Sequence, residues 1–157
     1  RLVGSEMCIR DSLRTVPGSA EVIVAELVPA VVEWNRGLLG QCAGRPVDDS
    51  RTRVHLGDVA DLLKHRSEKF DAILLDVDNG PEAMTSSDNF WLYSPDGLRT
   101  IFERLRPEGI AAIWSARADP LFTKRLKKTG FDVQLQTVRA RPGKGSRHKI
   151  FVAQKSR

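Results

Sequence analysis

The sequence predicts an α/β protein built on a mostly parallel sheet, and three observations lead to this fold class. The segments 21–25, Thr52–Leu56 and Phe70–Leu75 are short runs rich in apolar and β-branched residues, bounded by turn residues as strands are. Helical spacing of apolar residues follows these runs, directly or after a loop, and such alternation gives a parallel sheet covered by helices. Each run also ends at or beside an acid, and ligands of open α/β sheets bind beyond the carboxyl ends of the strands.

Turn residues and helix caps divide the chain into its predicted elements. The loop from 79 to 95 is long, and loops of that length in a compact domain are usually functional or disordered. The last two strands share a hairpin, which implies an antiparallel pair at the sheet edge. In chain order we predict a helix end at 13–16, a strand at 21–25, a helix at 30–39 after Pro29, a strand at Thr52–Leu56, a helix at Val59–His65 capped by Asp58, a strand at Phe70–Leu75, a helix at 95–105, a turn at 107–109, a strand at 110–114, a helix capped by Asp119 through Lys128, and strands at 131–138 and 149–153.

Length and composition indicate one globular domain. The chain has 157 residues, of which 41% are apolar and 29% charged, and it has no apolar stretch near the roughly 20 residues that span a bilayer. Cys8 and Cys42 have neither disulfide nor metal-ligand spacing, so we expect a cytoplasmic protein. The net charge of +5 lies mostly in the last twenty residues, where aromatic residues for stacking on bases are scarce. Nucleic-acid binding is therefore a weaker interpretation than a solvated basic face.

The first twelve residues follow no pattern found in the rest of the chain. They resemble a translated adaptor sequence joined to an assembled fragment, and a segment of that kind carries no information on the native fold. We therefore expect residues 1–12 to be non-native and residues 13–157 to form the single domain.

Three acids stand at the predicted strand ends: Glu26, Asp58 and Asp76. Because the carboxyl ends of parallel strands meet at one edge of a sheet, we expect the three carboxylates to share that edge. Together they are suited to a nucleoside with a ribose and a cationic group. The histidines, His55, His65 and His148, have no metal-ligand spacing, and we expect no metal.

Five segments, in order, resemble the spermidine synthase-like (polyamine synthase) branch of the class I S-adenosylmethionine-dependent methyltransferase superfamily. They are 21–26 (Glu-Val-Ile-Val-Ala-Glu), 31–35 (Val-Val-Glu-Trp-Asn), 53–59 (Arg-Val-His-Leu-Gly-Asp-Val), 70–76 (Phe-Asp-Ala-Ile-Leu-Leu-Asp) and 105–109 (Leu-Arg-Pro-Glu-Gly). The resemblance implies a Rossmann-like fold whose glycine-rich loop follows a central first strand. The sequence has no such loop, so we expect the first strand and the loop to be missing, which weighs against activity of the 157-residue chain itself.

The resemblance also implies roles for particular residues. Glu26 matches the acid that binds the ribose hydroxyls, and Asp58 with Val59 matches the contact to adenine. Asp76 matches the acid that accepts the proton of the attacking amine and lies near the donor. Simpler interpretations are a strand-end acid, a helix cap and a loop cap, respectively. We place Asp78, Asn79 and Tyr93 in the amine pocket, although the family has its second acid three positions after the first, where this chain has Asn79.

The leading hypothesis is transfer of an aminopropyl group from decarboxylated S-adenosylmethionine to a small-molecule amine. Methyl transfer from S-adenosylmethionine is the alternative within the same fold, and a non-catalytic domain of that fold is a third hypothesis. Methyltransferases must satisfy the carboxylate of their donor, but the residues that distinguish the two donors belong to the missing loop. A homodimer is a further expectation, and no membrane partner is expected.

Overall fold

The computed structural model describes residues 2–4, 9–65, 67–76, 90–141 and 144–156 of the chain. These residues form two compact units, Arg1–Arg66 and Ser67–Arg157, each with strands and helices of its own. The α/β class predicted from the sequence is confirmed. That residues 13–157 form a single domain stays a prediction, as does the non-native origin of residues 1–12.

The first unit is built on three parallel strands in the order β3-β2-β1. Ile9 and Leu13 of the first helix pack on Val22 and Val24 of β2 and form its buried core. The elements are β1 (Leu2–Gly4), α1 (Ile9–Thr15), β2 (Val22–Glu26), α2 (Pro29–Arg36), α3 (Leu38–Ala43), a 3₁₀ turn (Pro46–Asp48), β3 (Thr52–Leu56) and α4 (Val59–His65).

A strand of only three residues lies where the first strand was expected to be missing. Leu2–Gly4 pairs in parallel with Val22, Ile23 and Val24 of β2. Those three β2 residues are almost fully buried, and a buried strand needs partners for its backbone groups on both sides, which even three extended residues supply. The position of the expected glycine-rich loop, residues 5–8, lies outside the described residues.

One predicted helix is two helices in the structure. The segment 30–39 was expected to be continuous, but α2 ends at Arg36 and α3 begins at Leu38. Gly37 has φ −91° and ψ −130°, which is not helical, and its N–H closes α2 by donating to the carbonyl of Glu33. Glycine is among the weakest helix formers, so the break falls where the chain is most easily bent.

The second unit has four strands in the order β4-β5-β7-β6. β4 and β5 are parallel, whereas β7 is antiparallel to both β5 and β6, which confirms the predicted antiparallel pair. The hairpin is longer than predicted. The elements are β4 (Phe70–Leu75), α5 (Phe90–Tyr93), α6 (Pro95–Arg104), β5 (Leu105–Ser115), α7 (Pro120–Thr129), β6 (Phe131–Arg141) and β7 (Lys144–Lys155).

The predicted turn at 107–109 lies inside β5 instead of before it. Phe70 pairs with Leu105 and Ala72 with Ile110, so the residues between Leu105 and Ile110 bulge out of the ladder. Glu108 has a positive φ of 65°, and a Cβ on Gly109 would lie 2.8 Å from a backbone carbonyl oxygen. The turn signal was therefore real, but it marks a bulge within the strand.

Aromatic rings fill the core of the second unit. Phe122 of α7 meets Phe151 of β7 edge to face, with ring centroids 5.1 Å apart, and Tyr93 meets Phe122 in the same manner at 5.8 Å. Two side-chain caps start the helices around them: Ser94 accepts from Gly97 N–H, and Asp119 accepts from Phe122 N–H. Within the described part of the chain, no helix has the length and apolar character needed to cross a membrane.

Candidate functional site

The Glu26 carboxylate at the end of β2 is held by the backbone that follows it. The Val28 N–H donates to its Oε1 atom at 2.8 Å, while no described residue donates to Oε2. The Glu26 carbonyl accepts from Gly57 N–H at 2.9 Å, which joins the turn after β2 to the turn after β3. One carboxylate oxygen is thus fixed by the backbone, and the other is available to a ligand as far as the described residues are concerned.

The Asp58 carboxylate, which follows β3, is also held by the backbone through one of its two oxygens. Its Oδ1 accepts the Ala60 N–H at 2.7 Å and caps α4 as predicted, and its Oδ2 has no donor among the described residues. Val59 opens α4, so its N–H has no carbonyl one turn earlier to bind. Gly57 allows the sharp turn before the cap, since its φ is +152°. The structure brings Glu26 and Asp58 to neighbouring ends of paired parallel strands.

Apolar side chains lie next to both acids and remain exposed. Leu27 is 64% exposed, Leu56 is 54% exposed and Val28 is 48% exposed. Leu56 is the register partner of Glu26, so these side chains belong to the same end of the β2–β3 pair. Leu56 was predicted only as the last residue of a strand, and its exposure was not recognised from the sequence. For Leu27 the signal was an apolar residue that directly follows a strand-end acid.

This end of the first unit has what a nucleoside requires. A carboxylate oxygen can accept from sugar hydroxyls or an exocyclic amine, a backbone N–H can donate to a ring nitrogen, and exposed leucines can cover a ring face. Ligand sites commonly combine a few polar groups with an apolar surface in this way.

The second unit carries the other predicted residues. Asp76 directly follows β4 and is exposed. Asp78 and Asn79 lie outside the described residues, so their predicted place in an amine pocket stays a prediction.

Tyr93 is the one described member of the predicted amine pocket, and it is buried. Only 3% of the residue is exposed, and its hydroxyl has no hydrogen-bond partner among the described residues. Burial, followed by the negative charge of Asp76, raises the pKa of Tyr93 to about 12. A buried hydroxyl without a partner is rare in native proteins.

No group of three or more potential metal ligands forms among the described residues.

Comparisons with known proteins agree with one another on the family. Residues 12–135 match the family model described as the spermine/spermidine synthase domain. A polyamine aminopropyltransferase from Sulfolobus acidocaldarius is 26% identical over 106 residues, which cover 68% of this chain and 34% of that protein.

Solved structures confirm the predicted fold. A spermidine synthase in complex with the transition state analogue AdoDATO has a TM-score of 0.76 at 16% identity, covering 99% of this chain and 54% of that one. Human methyltransferase-like protein 13 in complex with SAH has a TM-score of 0.71 at 17% identity, covering 99% of this chain and 71% of that one. The chain spans about a third of the length of the aminopropyltransferase and about half of the spermidine synthase.

Proposed function

This chain belongs to the spermine/spermidine synthase family, and from that premise we propose that it transfers an aminopropyl group from decarboxylated S-adenosylmethionine to a small-molecule amine. The observation that carries the proposal is the pair of strand-end acids, Glu26 and Asp58. Each has one oxygen fixed by the backbone and one without a donor among the described residues.

The nucleoside of the donor is the part that the first unit would bind. The ribose hydroxyls donate to Oε2 of Glu26, and the exocyclic amine of adenine donates to Oδ2 of Asp58. The Val59 N–H is suited to a ring nitrogen, while Leu27 and Leu56 supply apolar surface for the ring. Because Val28 and Ala60 already orient the two carboxylates, binding requires little further ordering of either side chain.

The acceptor amine is the part that the second unit would bind. Asp76 attracts the ammonium group of the acceptor and takes its proton, since an amine is a nucleophile only when its nitrogen has a free electron pair. Tyr93 stays protonated at neutral pH and can hydrogen-bond to the amine through its hydroxyl. Asp78 and Asn79 complete the pocket in this proposal.

The reaction balances with these groups alone. The electron pair of the amine nitrogen forms a bond to the terminal carbon of the aminopropyl group, and the bond from that carbon to sulfur breaks. The sulfonium becomes the neutral thioether methylthioadenosine. The proton lost by the nitrogen goes to Asp76, and no oxidant or metal is needed.

Binding of methylthioadenosine tests the nucleoside half of the proposal by calorimetric titration. Glu26→Gln removes one acceptor of the sugar hydroxyls, and hydrogen bonds to charged groups contribute about 1.5–3 kcal/mol. We therefore expect the Kd to rise roughly 10- to 150-fold. Asp58→Asn retains a cap for α4 and should weaken binding in the same range. Glu33→Gln, an equal change of charge at an exposed position of α2, should leave the Kd unchanged. Equal affinity in Glu26→Gln and the parent would overturn the site.

Turnover tests the chemical half. With a diamine as acceptor, Asp76→Asn should lose most of the transfer rate while its Kd for methylthioadenosine changes little, because an amide cannot take the proton. Each protein is assayed with decarboxylated S-adenosylmethionine and with S-adenosylmethionine as donor. Methyl transfer from the second donor, without aminopropyl transfer from the first, would replace the proposal by a methyltransferase.

A further inference from the structure

A groove on the surface of α7 has no part in the proposed reaction. Its described lining residues are Asp119, Leu121, Lys124, Arg125 and Lys128, and its volume is about 480 Å³. The described lining residues all belong to α7 or to its N-terminal cap. We call it the α7 groove.

The groove combines one exposed apolar side chain with two lysines. Leu121 is 74% exposed, the most exposed of the large apolar residues in the described part of the chain. Lys124 and Lys128 follow it three and seven positions later, a spacing that places all three on one helix face over about 10 Å. The aliphatic stems of lysines add apolar area while their ammonium groups stay at the rim.

The positive charge of this face is not balanced by acids of the same helix. Asp119 is occupied, because its Oδ1 accepts the Phe122 N–H at 2.9 Å and its Oδ2 lies 3.8 Å from Nη2 of Arg125. Arg125 is turned inward: its guanidinium lies 5.2 Å from the centre of the Phe122 ring and donates to the carbonyl of Tyr93 at 3.2 Å. Lys124 and Lys128 form no ion pair with any described residue.

We propose that the α7 groove docks an acidic amphipathic helix of a different protein, with apolar side chains against Leu121 and carboxylates against Lys124 and Lys128. A helix lying lengthwise matches the three- and seven-residue spacing of the contacts in the groove. Charge complementarity selects an acidic partner and excludes a second copy packed through the same face, which would bring lysines against lysines.

Two other described helices, α6 and α2, have no excess of acids. The α6 helix carries Asp96 and Glu103 together with Arg99 and Arg104, so its charges cancel. The α2 helix carries Glu33 and Arg36, which also cancel. Neither helix presents several carboxylates on one face, and the proposal assigns these carboxylates to a helix of another protein.

The test measures binding of a labelled 15-residue peptide by fluorescence anisotropy. The peptide has leucine and glutamate at helical spacing, and a second peptide has glutamine in place of each glutamate. We expect the glutamate peptide to bind and the glutamine peptide to bind at least tenfold more weakly, with the difference shrinking as salt is added. Lys124→Glu with Lys128→Glu should weaken binding at least tenfold, and Leu121→Ser at least fivefold.

Lys127→Glu is the matched control, because Lys127 is an exposed lysine of the same helix that does not line the groove. It should change affinity less than twofold. Circular dichroism of all variants checks that they remain folded, which is expected because the changed residues are exposed. Equal losses of peptide affinity in Lys127→Glu and in the groove variants would overturn the proposal. The peptide would then be attracted by the positive charge of the protein in general and not by the groove. Competition by an oligothymidine of equal charge would overturn it as well, since a nucleic acid would then be the better occupant.

Discussion

Replacing Tyr93 by Phe is expected to have opposite effects on stability and on binding of the acceptor amine. The hydroxyl is buried, has no partner among the described residues, and lies on a ring that packs edge to face on Phe122. Phenylalanine keeps that ring and removes only the oxygen. We expect the variant to be more stable than the parent and to bind the acceptor amine more weakly.

The size of the gain follows from the burial of the hydroxyl. A buried polar group left without a partner destabilises a fold by about 1–3 kcal/mol, so its removal should raise the free energy of unfolding by roughly 1 kcal/mol or more. Ser94→Ala is the matched control one residue away. The Ser94 hydroxyl donates to Trp91 at 2.7 Å and accepts from Gly97 at 3.1 Å, so its loss should lower stability by about 1 kcal/mol.

The same residue predicts a dependence of stability on alkaline pH. Burial and Asp76 raise the pKa of Tyr93 from 10.0 to about 12 in the folded chain. Between these values the folded state keeps a proton that the unfolded state has lost, so stability falls as pH rises through the window. Two units correspond to about 2.7 kcal/mol, fully present below pH 10 and lost by about pH 12. Tyr93→Phe should lack this loss.

Two measurements test the expected stability of Tyr93→Phe and the raised pKa of Tyr93. Urea unfolding from neutral to alkaline pH compares the parent, Tyr93→Phe and Ser94→Ala. Near-ultraviolet absorbance follows ionisation directly, because the chain has a single tyrosine. A folded parent whose tyrosine ionises near pH 10, or a Phe variant less stable than the parent at neutral pH, would refute the reasoning.

Three further outcomes follow from other parts of the structure. Gly57→Ala should destabilise the first unit by about 1–3 kcal/mol in urea unfolding, because φ there is +152° and a Cβ would lie 3.2 Å from an imidazole nitrogen, whereas Gly18→Ala, with nothing within 4 Å, should be neutral. Hydrogen bonds from Arg51 lower the pKa of Asp49 to about 2, so Arg51→Met should move the pKa of Asp49, measured by NMR titration, back toward 3.8. The stability that this pair contributes is present above pH 3.8 and is lost as the pH falls toward 2. Lys155→Met should lower the melting temperature of the second unit, because its ammonium group donates at 2.9 Å to two carbonyls at the end of α6, and bonds from charged donors contribute about 1.5–3 kcal/mol. An unchanged value in any of the three would contradict the corresponding contact.

Much of the fold could be predicted from local pattern. β3, α4 and β4 have the predicted bounds, because each is a short apolar run with a clear turn or cap at both ends. The α/β class and the antiparallel pair followed from the order of these runs. The capping role of Asp58 could be predicted as well, since a cap needs only an acid before a helical pattern.

The misses arise where tertiary contacts override local signals. The turn residues before Ile110 are accommodated within β5 because Leu105 already pairs with Phe70, and a sequence pattern carries no pairing information. Leu27 and Leu56 were not recognised beside the acids, because exposure depends on what packs nearby. The burial of Tyr93 came from the packing of Phe122 against it, across almost thirty residues of chain.

The strand order of the second unit also fixes when its sheet can form. β7 lies between β5 and β6, although it follows both in the sequence. β6 pairs with no other described strand, so while the chain is being synthesised β6 has nothing to join until β7 has left the ribosome. β5 likewise has one edge uncovered until then. The second unit therefore emerges with unpaired strand edges, the kind that chaperones recognise and that aggregate, and its last strand is the one that closes the sheet.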